Sequence, residues 1–220
     1  MKASDEIHLR TDLGDLEQLL EGGRPGPAFG LPANLQHFHR AKAEDRAARR
    51  GIKALIRPEN AQVLLQHLPE HPDDRTHAVL RGDFVLCDVI PAVLEARGRC
   101  PHLHVATLGL SAGNADQLAR LVARGMIGQI TLVVSHYFAT VDKATTFREV
   151  AARLDGVAQV KVTRNHCKVI CLPTERGDHL VIEGSANLRS SDNIEQIVMT
   201  NDPETLAFHV GWMNQLTADG

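Results

Sequence analysis

From Ala78 onward, strand-length apolar runs alternate with amphipathic stretches, and this alternation is the strongest constraint on the fold. HLHVATL at 102–108, QITLVVS at 129–135 and VAQVKVT at 157–163 have the length and residue types of buried strands. Between them, ADQLARLVAR at 115–124 repeats its apolar residues at helical spacing until Gly125 ends it, and 143–154 predicts a second helix. Residues 83–97 predict an earlier helix, with Pro91 as a potential kink. Further on, 167–172 and 179–183 read as two strands joined by the ERGD turn at 175–178. Another strand follows at 194–200, and Pro203 opens a last helix. The expected fold class is α/β, with a mixed, mainly parallel sheet flanked by helices.

Residues 1–76 differ in character, being rich in charge, Gly, Pro and His, and predict a mostly helical N-terminal extension to a catalytic-size unit at 77–220. The cluster Gly22-Gly23-Arg24-Pro25-Gly26-Pro27 breaks regular structure. Residues 41–56 predict a helix that is ended or interrupted near Gly51. A second helix starts after Pro58, with Ala61, Leu64, Leu65 and Leu68 on one face, and HPDDRTH at 71–77 reads as a linker.

The net charge of −3 excludes a general basic coat, so any nucleic-acid binding must use a local patch. Residues 37–57 supply one: Arg40, Lys42, Arg46, Arg49, Arg50, Lys53 and Arg57 stand against only Glu44 and Asp45. A solvated helix face with its own ion pairs accounts for the same run. The polar N-terminus has no apolar signal core, and no run reaches membrane-spanning length, so a soluble, cytoplasmic protein with no membrane partner is expected. The four cysteines, Cys87, Cys100, Cys167 and Cys171, lack the two close pairs of a structural zinc site and fit buried free thiols. His102 and His104 share a strand face without an acidic or thiol partner nearby. No metal or other cofactor is expected. Ser111-Ala112-Gly113-Asn114 before a helix suits a capping turn or an anion site. His136 and Tyr137, at the end of the 129–135 strand, are candidates for lining a cleft.

The chemistry concentrates in 164–196. His166 and Lys168, two apart, share a face if they lie on a strand. An antiparallel hairpin brings the Gly184-Ser185-Ala186-Asn187 loop back beside them. An imidazole, an ammonium, a hydroxyl and a carboxamide then converge, a set suited to a phosphate. Glu195 follows at the start of the next strand, where it could hold an imidazole N–H. A polar hairpin with a surface His and Lys would satisfy the same residues.

His166-Cys167-Lys168 followed by Gly184-Ser185-Ala186-Asn187 resembles the H-x-K-x4-D-x6-G-S-x-N signature of the phospholipase D superfamily. Glu195 matches an acidic residue of its nuclease-like members, and Thr107–Ser111 with the following helix and strand is similar to the family's first strand–helix–strand unit. The resemblance spans about residues 80 to 215. It implies catalytic roles for His166, Lys168, Ser185, Asn187 and Glu195, with one His attacking phosphorus and a second protonating the leaving oxygen. Lys and Asn would neutralise the phosphate oxygens, so no metal is implied. The signature occurs once in this chain, so the resemblance implies a homodimer built around the site. Two departures stand out: Pro173 occupies the position of the family's Asp, and the hairpin is longer than the family spacing. The implied function is a metal-independent phosphodiesterase, a nuclease on DNA with little sequence preference. Arg164 and the basic residues Arg46, Arg49, Arg50 and Lys53 would bind substrate. A catalytically degenerate nucleic-acid-binding module and a lipid phosphodiesterase are the alternatives.

Overall fold

The structure, a computed structural model, describes residues 51–217 apart from 57, 82, 83 and 143. Eight strands make one sheet: β1 (Gly51–Ile56), β2 (Asp74–Leu80), β3 (Cys100–Thr107), β4 (Ile127–Ser135), β5 (Gln159–Thr163), β6 (Val169–Pro173), β7 (His179–Gly184) and β8 (Glu195–Asn201). Their spatial order is β1-β2-β8-β7-β6-β3-β4-β5. Among the described residues five α-helices accompany them: α1 (Ala61–Leu65), α2 (Val89–Arg97), α3 (Ala112–Ala123), α4 (Ala144–Leu154) and α5 (Pro203–Gln215).

The sheet is mixed, as expected, but its parallel part is confined to the flanks. β1–β2 and β3–β4–β5 are parallel, because a helix crosses over between successive strands. The middle, from β2 through β8, β7 and β6 to β3, is antiparallel throughout. One face carries the larger core, where Leu103, Val105, Leu132, Ile170, Leu172 and Ile182 pack under the helices. On the other face Ala106, Val133, Val169, Cys171 and Val181 pack against Met213 of α5. That face also buries polar groups. Lys161 of β5 donates from Nζ to the carbonyls of Met213 (2.9 Å) and Asn214 (3.2 Å), capping the last turn of α5.

Several sequence expectations are corrected. The supposed linker at 71–77 contains the start of β2, which alternates its burial through Thr76, Ala78 and Leu80. A border at residue 76 therefore falls inside a strand, and Gly51–Ile56 is an edge strand, not the tail of a helix. Where a single helix was expected over 83–97, a 3-10 turn (Leu86–Asp88) leads into α2. Pro91 is the third residue of α2, inside the first turn, where a missing N–H breaks no intrahelical bond. Ser111 and Asn114 form a reciprocal capping box at α3, which settles the SAGN segment as a cap. Of the mostly helical extension expected for 1–76, residues 1–50 lie outside the described residues.

Candidate active site

Strand register collects one set of segments at one end of the sheet. Val169 of β6 pairs with Ala106 of β3 and with Glu183 of β7, and Gly184 pairs with Ile197 of β8. The end of β3, the approach to β6, the exit of β7 and the start of β8 therefore meet there.

His166 and Lys168 stand in the irregular approach to β6, not on the strand itself. Asn165 fixes that approach. It is buried, donates from Nδ2 to the carbonyls of Thr107 (3.1 Å) and Val133 (3.4 Å), and accepts from the Cys167 N–H at 2.8 Å. The loop that carries His166 is thus pinned across the ends of β3 and β4. Lys168 Nζ donates to the His166 carbonyl at 2.9 Å and lies 3.1 Å from His166 Nδ1. An ammonium can only donate, so Nδ1 is the acceptor and the ring proton is assigned to Nε2. Partial burial pulls the Lys168 ammonium below its usual value, while the charge of Glu195 and then Cys167 work against that fall.

The GSAN loop is built from different constraints. A Cβ on Gly184 would come within 2.0 Å of the Gln196 carbonyl oxygen and 2.8 Å of Ile197 Cα, so only glycine lets β8 approach this closely. Its N–H donates to the Lys168 carbonyl at 3.2 Å, tying the loop to the other half of the site. Ser185 donates from Oγ to Glu195 Oε2 and accepts from the Gln196 N–H at 3.1 Å. Asn187 Oδ1 accepts from the Leu108 N–H (3.0 Å) and the Thr107 hydroxyl (3.2 Å). Those two donors fix the amide's orientation and leave Nδ2 as its available donor. Thr107–Leu108 is therefore a hub that holds both the His166 loop and Asn187.

No protein-family model and no curated protein matches the sequence. Solved structures do. The chain is similar in fold to members of the phospholipase D family. The family member Nuc from Salmonella typhimurium is 17% identical, with 64% of this chain and 92% of that one covered and a TM-score of 0.46. NucT from Helicobacter pylori is 16% identical, with 64% and 94% covered and a TM-score of 0.43. A mutant of yeast tyrosyl-DNA phosphodiesterase is 14% identical over 66% of this chain and 39% of its own, with a TM-score of 0.39.

Of the residues singled out in the sequence, His166, Lys168, Ser185, Asn187 and Glu195 come together. Glu195 corrects one expectation: its recorded partner is the Ser185 hydroxyl, not an imidazole N–H, because β7–β8 pairing sets it beside the GSAN loop. Arg164 is exposed at the end of β5. Lys53 lies in β1 at the sheet edge, while Arg46, Arg49 and Arg50 lie outside the described residues. Pro173 ends β6 at the opposite end of the sheet, five residues from Lys168 or roughly 16 Å along a strand.

Sequence reasoning missed Asn165, whose partners sit on strands far away in the chain, and Arg81. Arg81 lines a groove with Phe84, Asn187, Arg189, Ser191 and Glu195, so a guanidinium borders the site at the end of β2. Its position after a strand that was read as a linker hid it. Among the described residues no three His, Cys, Asp or Glu side chains cluster to hold a metal. His102 and His104 instead stack at 3.9 Å and bond Thr131 and Asn214. Cys87, Cys100 and Cys171 are buried thiols pushed up to about 12, chiefly by burial, whereas Cys167 is exposed between the site's His and Lys. No helix among the described residues is long and apolar enough to cross a membrane.

Proposed function

We propose that this chain is a metal-independent phosphodiesterase, a nuclease that cleaves DNA with little sequence preference through a covalent phosphohistidine. The observation that carries the proposal is the pairing of Lys168 Nζ with His166 Nδ1 beside an Asn187 amide whose free donor is fixed. A phosphate arriving there takes over the ammonium's hydrogen bonds and frees the imidazole lone pair to attack phosphorus. The N–P bond forms as the P–O bond to the leaving group breaks. Lys168 and Asn187 stabilise the charge on the non-bridging oxygens. Water then attacks phosphorus and the N–P bond breaks.

A second imidazole must protonate the leaving oxygen and later take a proton from the water. The described site contains one His, so we infer a homodimer in which two copies face each other across the phosphate. Arg164, together with the basic residues Arg46, Arg49, Arg50 and Lys53, supplies the sequence-independent attraction for a phosphate backbone. Four free thiols fit a reducing compartment such as the cytoplasm.

The test is cleavage of DNA in EDTA by wild type and His166→Ala, with sedimentation to report the oligomer. Wild type should cut as a dimer and His166→Ala should lose roughly ten-thousand-fold in rate. A strictly monomeric enzyme that still cuts refutes the two-copy site. DNA binding without cleavage by either protein makes the chain a binding module. Cleavage of phospholipid instead of DNA makes it a lipid phosphodiesterase.

A further inference from the structure

We infer that Tyr137 and Arg164 form a subsite for an unpaired nucleobase beside the reacting phosphate, so that single-stranded nucleic acid is the preferred substrate. This rests on the phosphodiesterase proposal for its catalytic arm. Tyr137 is the chain's single tyrosine, and it is 53% exposed. It leaves the end of β4 just as Arg164 leaves the end of β5, and the register that pairs Ser135 with Thr163 makes those two exits neighbours. Both are at the end of the sheet that holds the site: Arg164 precedes His166 by two residues, and Asn165 between them bonds the Val133 carbonyl of β4.

The ring stands on a braced turn. The Tyr137 N–H donates to Ser135 Oγ at 3.1 Å, and Thr140 Oγ1 donates to the His136 carbonyl at 2.8 Å. The next residue, Phe138, opens a π-helical turn (Phe138–Asp142) and is only 1% exposed. It packs edge-on to Phe147 of α4 and so close to Gly109 that a Cβ there would meet its ring at 2.7 Å. Gly109 adjoins Leu108, whose N–H orients Asn187. The tyrosine and the phosphate-binding amide are thus braced on one loop, and single-turn π-helices often mark functional positions.

An exposed ring with an exposed guanidinium fits a base that stacks while its backbone is neutralised. A base inside a duplex has no free face for such a ring, and a phospholipid headgroup has no aromatic face to offer.

Full-length wild type, Tyr137→Ala and Tyr137→Phe would be compared on a fluorescein-labelled single-stranded oligonucleotide, its duplex, and a base-free aryl phosphodiester. Anisotropy reads binding, cleavage reads kcat and KM, and sedimentation reads the oligomer. Tyr137→Ala should weaken single-strand binding about tenfold, mainly through KM, and spare the duplex and the base-free diester; Tyr137→Phe should behave as wild type. Equal losses on all three substrates, or no loss on the single strand, overturn the subsite. So does a change of oligomeric state in Tyr137→Ala, which would make the ring an interface between copies. A protein that cuts nothing refutes the phosphodiesterase proposal alone, and the binding arm still decides the subsite.

Discussion

The two ends of the β6–β7 hairpin are built for different tasks. At one end Lys168, Gly184 and Ser185 meet with exposed or half-buried polar groups, joined by hydrogen bonds that leave donors and lone pairs available. At the other, Thr174 and Asp178 are buried and satisfy each other: the Thr174 hydroxyl donates to Asp178 Oδ2 at 2.6 Å, and Arg97 stands 3.8 Å from the same carboxylate. Gly177, with φ +90, closes the turn in the left-handed region. The lesson lies in Pro173, because the position where the family has its Asp belongs to the closed end. A change there falls beside the Thr174–Asp178 pair that closes the turn, at the other end of β6 from Lys168.

The contrast can be broken most severely at Gly184. Gly184→Ala sets a methyl group against the β8 backbone and should cost about 3 kcal/mol in urea denaturation, with loss of activity because Ser185 and Glu195 are forced apart. Asn165→Ala should sharpen it. Freeing the loop that carries His166 should lower kcat about a hundredfold with little change in KM, since small misplacements of a reacting group are costly. Asp178→Asn should show the smallest effect, about 1 kcal/mol of stability by thermal melting and an unchanged cleavage rate. A kcat loss in Asp178→Asn comparable to that of Asn165→Ala would mean that the two ends are not separate.

The strands from β3 to β8 were legible because their apolar runs are long and bounded by clear turn residues. The candidate site's grouping was legible because its polar residues come at fixed spacing around a hairpin. β1 and β2 were not. The apolar GIKALI follows a charged run of helical character and was read as its tail, β2 opens on polar residues, and what makes 74–80 a strand is pairing with β8, more than a hundred residues later in the chain. Asn165 and Arg81 were hidden for the same reason: each gains its meaning from neighbours that only the folded sheet supplies. The expected imidazole partner for Glu195 failed because the local β7–β8 register offers a hydroxyl first.

The strand order also governs when this site can exist during synthesis. β2 has only β1 and β8 as neighbours, so the first-made pair of strands has no bond to the rest of the sheet until residues 195–201 have left the ribosome. Arg81 and Glu195 come into place in that same late event. The end of the sheet that carries His166 and Asn187 therefore stays unfinished until Glu195–Asn201 is made, and the last of the described strands closes it.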